Sequence, residues 1–238
     1  MSKKSLGGAD VLILCGGLGT RFRKVRNDIP KSLAPIQGTP FIDLLFEDLT
    51  AQGFRRIILA TGHLSDQLEN FVKRRTDAEY IISNEPKPLG TGGAIKFAEN
   101  NFYSDQILIL NGDSRITFCF QTLFEFHGNH HAEMSILLSS VTKGIDYGNV
   151  VLNEKNRVTS FSEKPTASTS ACVNAGVYVI NRELLNSLQP DKQYSLEKDC
   201  LPSWIYANRI FGLLTDKVVF DIGTPERYLT SQTALLVE

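Results

Sequence analysis

The stretch Val11-Leu12-Ile13-Leu14-Cys15-Gly16-Gly17-Leu18-Gly19-Thr20-Arg21 decides how the chain is read. Its first four residues are all apolar, too few for a helix, and they end in glycines. Such a run is a strand buried on both faces, as in the middle of a parallel sheet. Glycines at 16, 17 and 19 let backbone N–H groups approach a phosphate without side-chain interference. Arg21 adds a planar fork suited to phosphate oxygens, and Lys31, after Pro30, supplies a second cation. Residues 16–38 lack periodicity and are rich in Gly, Pro, Arg and Lys. A loop of that length inside a compact domain is usually functional.

Outward from this loop the pattern alternates. Thr39-Pro40 reads as an N-cap followed by Pro at the first helical position, with Phe41, Leu44, Leu45 and Leu49 at helical spacing. Arg56 to Ala60 is a second buried strand. Ser65 is a cap for a helix carrying Leu68, Phe71 and Val72. Tyr80 to Ile82 is a third strand, and Gly90-Thr91-Gly92-Gly93 opens a helix with Ala94, Ile95, Phe97 and Ala98. Ile107 to Leu110 is a fourth strand, ending in Asn111-Gly112-Asp113. This order predicts an α/β fold: a Rossmann-like, mixed, mainly parallel sheet flanked by helices. In such sheets ligands bind beyond the carboxyl ends of the strands, where the glycines and Asp113 are placed. The second half offers strands at Met134 to Val141, Val150 to Leu152, Val158 to Phe161 and Val173 to Ile180, an antiparallel or mixed extension. Ser195 caps a helix with Leu196 and Leu201, bent or ended by Pro202. Thr224-Pro225-Glu226 starts a last helix bearing Tyr228, Leu229, Leu235 and Leu236. Residues 1–238 therefore read as one domain with two lobes, a larger one at about 8–115 and 215–238 and a smaller one at about 116–214.

The bulk properties narrow the function. A chain of 238 residues buries roughly 70–75% of its unfolded surface, so no metal or disulfide staple is required. Net charge is −1 with scattered Lys and Arg, which disfavours nucleic acid as a partner. No apolar run is long enough for a signal peptide or membrane span. Cys15, Cys119, Cys172 and Cys200 lack zinc or redox spacing and fit a reducing cytoplasm. His127, His130 and His131 follow an apolar-spaced helix and read as a solvated helix end rather than a metal site. Phe41, Phe97 and Trp204 read as core.

Two familiar phosphate loops fail by spacing. A P-loop needs Gly-x-x-x-x-Gly-Lys-Ser/Thr, and a dinucleotide fingerprint needs Gly where Phe22 stands. The set of motifs instead resembles the sugar-phosphate nucleotidyltransferases, with a GT-A-like fold. The resemblance runs through Leu14 to Arg21, Pro30-Lys31-Ser32-Leu33, Pro88 to Ala94 and Asn111-Gly112-Asp113. It continues through Glu163-Lys164-Pro165, Asn174-Ala175-Gly176-Val177-Tyr178 and Asp221-Ile222-Gly223-Thr224-Pro225-Glu226. Within that family, Asp28 to Lys31, Pro40-Phe41 and Pro88 to Ala94 look most like bacterial D-glycero-D-manno-heptose 1-phosphate guanylyltransferases. Cys15 departs from the family's usual Ala, and Ser32 from a frequent Pro.

The resemblance implies an enzyme and assigns roles. Arg21, Lys31 and Asp113 would be catalytic. Cys15, Gly16, Gly17, Gly19, Thr20, Glu85, Gly90 and Thr91 would line the nucleotide. Gly148, Glu163, Lys164 and Asn174 would contact the sugar phosphate, with Glu197 a weaker candidate. Asp113 and Asp221 would hold Mg²⁺, which prefers two carboxylates with water and phosphates. The partners would be a nucleoside triphosphate, GTP favoured because a carboxylate at Glu85 suits guanine's N1–H and 2-amino group, and a sugar 1-phosphate. Uridylyl transfer to N-acetylmuramate 1-phosphate, a non-catalytic nucleotide-sugar-binding module and, less favoured, an NAD-dependent oxidoreductase stay open. So does assembly into homo-oligomers.

Overall fold

The computed structural model describes residues 6–17, 28–140, 148–162, 172–207 and 209–234. In chain order the elements are β1 (Asp10–Leu14), β2 (Pro35–Ile36), β3 (Thr39–Pro40), α1 (Phe41–Ala51), β4 (Arg56–Thr61), α2 (Ser65–Val72) and β5 (Glu79–Asn84). There follow α3 (Gly90–Ala98), β6 (Gln106–Asn111), β7 (Ser114–Arg115), α4 (Phe120–Asn129), β8 (Met134–Ser139), β9 (Asn149–Leu152) and β10 (Val158–Ser162). The last are β11 (Cys172–Asn181), α5 (Leu201–Ala207), β12 (Ile210–Thr215), β13 (Phe220–Asp221) and α6 (Pro225–Ala234).

One nine-stranded sheet organises the molecule, in the order β10-β9-β11-β6-β1-β4-β5, with β8 also paired to β11 and β12 to β8. β1 lies parallel between β4 and β6, and β5 continues the parallel half. β11 runs antiparallel to β6 and to β8, whereas β12 is parallel to β8. The mixed, mainly parallel α/β sheet expected from the alternation is thus observed. The sheet passes without a break from β6 to β11, so the two halves of the chain share one backbone hydrogen-bonding network.

The apolar run of β1 is buried, and its side chains alternate between two cores. Val11 and Ile13 join the core beneath α1, α2 and α4, while Leu12 joins the one beneath α3 and α5. Phe41 and Trp204 are core residues as expected. A strand lined on both faces and both edges cannot shift register without exposing its side chains. Its last residues are therefore fixed, and Cys15 and Gly16, which follow them, start from a fixed point.

Local departures have local causes. Thr39 does not cap α1: it pairs with Ile36 in the β2–β3 hairpin, and Pro40 precedes the first helical residue. Gln37 and Gly38 turn that hairpin with φ of 51° and 90°, the geometry a two-residue hairpin loop requires. Leu64 precedes α2 in a left-handed conformation, and the Ser65 hydroxyl pairs with Thr61 Oγ1 at 2.8 Å instead of capping. Ser195 does cap, accepting from Lys198 N, but the turn it opens is a π-helix over Leu196–Cys200 that lets the chain enter α5 past Pro202. Leu229 is 66% exposed rather than part of an apolar face of α6; Leu235 and Leu236 lie outside the described residues. Cys119 is exposed. No helix among the described residues is long and apolar enough to cross a membrane.

The histidine group also differs from expectation. His127 is buried, with Nδ1 2.9 Å from Ser135 Oγ and Nε2 2.9 Å from Asn181 Oδ1. Asn181 Oδ1 can only accept, so Nε2 carries a proton. Burial lowers its pKa below the ordinary 6.5, partly offset by the Asn181 hydrogen bond. The folded value lies below the unfolded one, so His127 costs no stability above about pH 6.5 and destabilises the fold as pH falls through the folded pKa. The melting temperature is expected to drop more between about pH 7 and pH 5 in the wild type than in His127→Gln; parallel slopes would disprove the assignment.

Candidate active site

The carboxyl ends of β1, β4, β5 and β6 open on one edge of the sheet. Backbone bonds continue the pairing past the strands and lock the turns. Cys15 N donates to Ala60 O at 2.8 Å, Glu85 N to Thr61 O at 3.0 Å and Gly112 N to Leu14 O at 3.0 Å. Gly112 has to be glycine: a Cβ there would lie 2.7 Å from Leu14 O. Gly17 has φ +119°, a conformation that side chains rarely adopt. Gly19, Thr20 and Arg21 lie outside the described residues, as do Glu163 and Lys164.

Three predicted residues converge. Lys31, in a short turn after Pro30, forms an ion pair with Asp113, both side chains about one quarter exposed. Asp113 precedes β7, and β7 pairs antiparallel with β13, which sets Asp221 opposite Ser114. Ile222 N donates to Asp113 O at 2.9 Å. A Cβ placed on Gly223 would stand 2.9 Å from Asp221 Oδ1 and 3.9 Å from Asp113 Oδ2. Both carboxylates thus surround one point, and a glycine leaves it open. Asp221 is 5% exposed; its Oδ1 accepts from Gly223 N at 2.9 Å and from Arg227 Nη1 at 3.3 Å. Two cations, Lys31 and Arg227, therefore offset the two carboxylates. Arg227 sits in the first turn of α6, where a cation opposes the helix dipole, and its ion pair with Asp221 offsets that cost.

Among the described residues no group of three or more His, Cys, Asp or Glu converges on a metal position. The donor set is a pair of hard carboxylates. That suits Mg²⁺, which takes one or two carboxylates and completes its shell with water and phosphates, and does not suit zinc.

Glu85 lies under the glycine loop. Its Oε1 would be 3.5 Å from a Cβ on Gly16 and 3.1 Å from one on Gly62, and its Oε2 accepts from Leu89 N at 3.1 Å. Burial raises its pKa, and the Leu89 bond works against that rise. Cys15 lies nearby, partly exposed at the end of β1, its thiol pushed up to about 12 by burial, with the Ser32 hydrogen bond opposing and the Asp113 charge adding to the rise. It is a neutral thiol, not a nucleophile.

The Gly90 to Gly93 turn serves the fold as well. Gly92 N and Gly93 N donate to Tyr194 O at 2.9 and 3.2 Å, Tyr194 N donates to Leu89 O at 2.9 Å, and Leu196 N donates to Thr91 Oγ1 at 2.8 Å. Gly90 has φ +70°, and a Cβ on it would lie 2.5 Å from Tyr194 O. Residues 192–196 thus clasp the start of α3, a partner that no local sequence signal announces.

Asn174 and Gly148 also meet: Asn174 N donates to Gly148 O at 2.9 Å. The Asn174 side chain is internally committed, accepting from Gly176 N at 3.0 Å and donating to Tyr178 Oη at 2.7 Å and Glu197 Oε1 at 3.4 Å. It braces Glu197, which sequence reasoning ranked below it. Gly176, φ +72°, lets β11 bulge past Asn111, a bend of the kind found beside active sites. Gly148 is pressed on the Phe161 ring, 2.6 Å from where its Cβ would be.

With this geometry in view, the comparisons decide the class. The nucleotidyl transferase family model matches residues 10–238. The chain belongs to that family. The resemblance to sugar-phosphate nucleotidyltransferases read from the motifs therefore holds. D-glycero-alpha-D-manno-heptose 1-phosphate guanylyltransferase of Aneurinibacillus thermoaerophilus is 33% identical over 95% of this chain and 98% of its own length. The catalytic subunit beta of mannose-1-phosphate guanylyltransferase of Drosophila melanogaster is 32% identical over 96% of this chain, which spans 63% of it. The crystal structure of HddC from Yersinia pseudotuberculosis complexed with GMP-PN superposes with a TM-score of 0.84 at 31% identity, covering 95% of this chain and 99% of that one.

Gly90→Ala is expected to lower unfolding stability by about 1–3 kcal/mol, because it combines a left-handed residue with a backbone collision. A urea titration checks this; a midpoint unchanged from wild type would show that the clasp yields freely.

Proposed function

We propose that this member of the family transfers GMP from GTP to a sugar 1-phosphate, a manno-configured heptose 1-phosphate foremost, giving a GDP-sugar and pyrophosphate. The observation that carries the proposal is the meeting of Lys31, Asp113 and Asp221 at the carboxyl edge, in a chain matched over 95% of its length by a heptose 1-phosphate guanylyltransferase. The sugar phosphate is already an anionic nucleophile, so no protein base is required. One of its oxygens bonds to the α-phosphorus as the bond from that phosphorus to the β-phosphate's bridging oxygen breaks, and pyrophosphate leaves. The demand on the protein is alignment and relief of repulsion between anions.

Each residue has a place in that scheme. Lys31 neutralises phosphate charge near the reacting centre, and Arg21 grips the triphosphate. Asp113 and Asp221 would hold Mg²⁺, whose charge would stabilise the departing pyrophosphate. The backbone N–H groups of Gly16, Gly17 and Gly19 cradle phosphate oxygens. Glu85 Oε1, beside Gly16 and Gly62, is the acceptor for guanine N1–H and the 2-amino group, donors that uracil does not present in that arrangement. Glu197, braced by Asn174, and Glu163 accept from sugar hydroxyls, Lys164 pairs with the sugar's phosphate, and Gly148 and Asn174 complete the sugar-phosphate site. Mannose 1-phosphate is the second sugar to consider, favoured by the similarity to the Drosophila subunit.

Pyrophosphate release, scored over a matrix of nucleoside triphosphates and sugar 1-phosphates, tests the proposal. GTP with the heptose phosphate should be the fastest pair; activity with UTP and none with GTP would overturn the guanylyl assignment. Lys31→Ala is expected to lower turnover by about 10²–10³-fold, the range for removing one transition-state contact, and near-normal rates would take Lys31 out of the mechanism. Glu85→Gln should reduce kcat/KM for GTP by roughly 10-fold or more, a charged acceptor having been replaced by a neutral one; an unchanged value would free Glu85 from base recognition.

A further inference from the structure

Helix α6 begins four residues after Asp221. Leu229 faces outward, Ser231 is buried, and the Tyr228 ring packs partly buried against the core. Polar bonds to one distant hairpin add to that contact. Tyr228 Oη donates to Pro35 O at 2.6 Å. Gln232, one turn later on the same face, donates to that same carbonyl at 2.7 Å. Its Oε1 accepts from Gln37 N at 2.9 Å, and Gln37 Nε2 donates back to Gln232 O at 2.7 Å. Ser231 Oγ closes the other end, donating to Asp221 O at 3.1 Å.

The hairpin so gripped is β2–β3, which begins just after the Lys31 turn. Gln37 occupies φ +51°, where glycine is the easier residue. Its side-chain amide returns a bond to α6 that a glycine could not make. The result is a strap with the two charged partners at its ends, Lys31 beyond the hairpin and Asp221 at the root of the helix.

We propose that Tyr228 and Gln232 are positioning residues that hold the Asp221 carboxylate and the Lys31–Asp113 pair in the spacing a divalent cation requires. The strap acts beside the β7–β13 pairing, so two independent paths set one geometry. This rests on the reading above, that Asp113 and Asp221 hold the metal. Tyr228 and Gln232 bond to Pro35 and Gln37 of the hairpin and act on the carboxylates through it. Outer supports of metal ligands typically change affinity by about 10–100-fold when removed, because small displacements of a rigid site are costly.

Mn²⁺ binding by the full chain in the presence of GTP, followed by paramagnetic resonance, tests this without turnover. Tyr228→Phe/Gln232→Ala is expected to bind Mn²⁺ about tenfold more weakly, while Leu229→Ser, on the outward face of the same helix, binds as wild type. In the pyrophosphate assay the metal activation constant should rise in parallel, with turnover at saturating metal nearly retained. If the double variant does not fold, Tyr228→Phe alone, which deletes a single hydroxyl, carries the comparison. Mn²⁺ affinity equal to wild type in a folded variant would overturn the strap and leave the functional reading standing. A wild-type chain that binds no Mn²⁺ would overturn the metal reading and the strap together.

Discussion

The constraint on which the site depends is the enclosure of β1. Val11, Leu12 and Ile13 are fully buried, with parallel neighbours on both edges and a core on each face. A strand in that position has one register, so its carboxyl end is a fixed point. The loops after β4, β5 and β6 then inherit fixed places beside it. Glu85 reaches the glycine loop because its amide continues the pairing to Thr61, and Asp113 reaches the same edge because Gly112 clasps Leu14. Glycine is required there for closeness of approach as much as for backbone conformation.

Charge is arranged on that frame in alternating sign. Lys31 offsets Asp113, and Arg227 offsets Asp221. A buried and a partly exposed carboxylate around one point would repel each other, and the two cations keep the arrangement tolerable before any substrate arrives. The same cations are suited to phosphate oxygens when substrate brings its own negative charge. The site is thus held together by pairs whose members can each find another partner.

Much of this was legible in the order of residues. Four parallel strands, the helices between them and the carboxyl-edge placement follow from apolar runs that stop at glycine or an acid, and the roles of Lys31, Glu85, Asp113 and Asp221 follow from the family resemblance. The misreadings share a cause. Thr39 has the chemistry of a cap, but hairpin pairing with Ile36 captured it. His127 looks like a helix-end residue, yet Ser135 and Asn181 satisfy both ring nitrogens inside the core. Leu229 suggests an apolar helix face, whereas polar bonds dock α6. β12 went unread because Gly212 interrupts its pattern; a Cβ there would collide with Leu138 and Leu152. In each case a tertiary or hairpin partner outweighed the local preference.

By itself, then, the sequence determined the element types, the family and the chemical kind of the site. Those depend on short-range facts: side-chain period, glycine at turns, and the spacing of charged residues. Only the tertiary structure decided which charges meet. Asp113 and Asp221 stand far apart in the chain and become neighbours through β7 and β13. Residues 192–196, which carry no motif, clasp the start of α3. Gln37 and Gln232 form a reciprocal pair that neither position alone foretells. A sequence pattern records what each residue can do over a few neighbours, whereas a site is set by the distance between segments, and that distance is a property of the closed sheet.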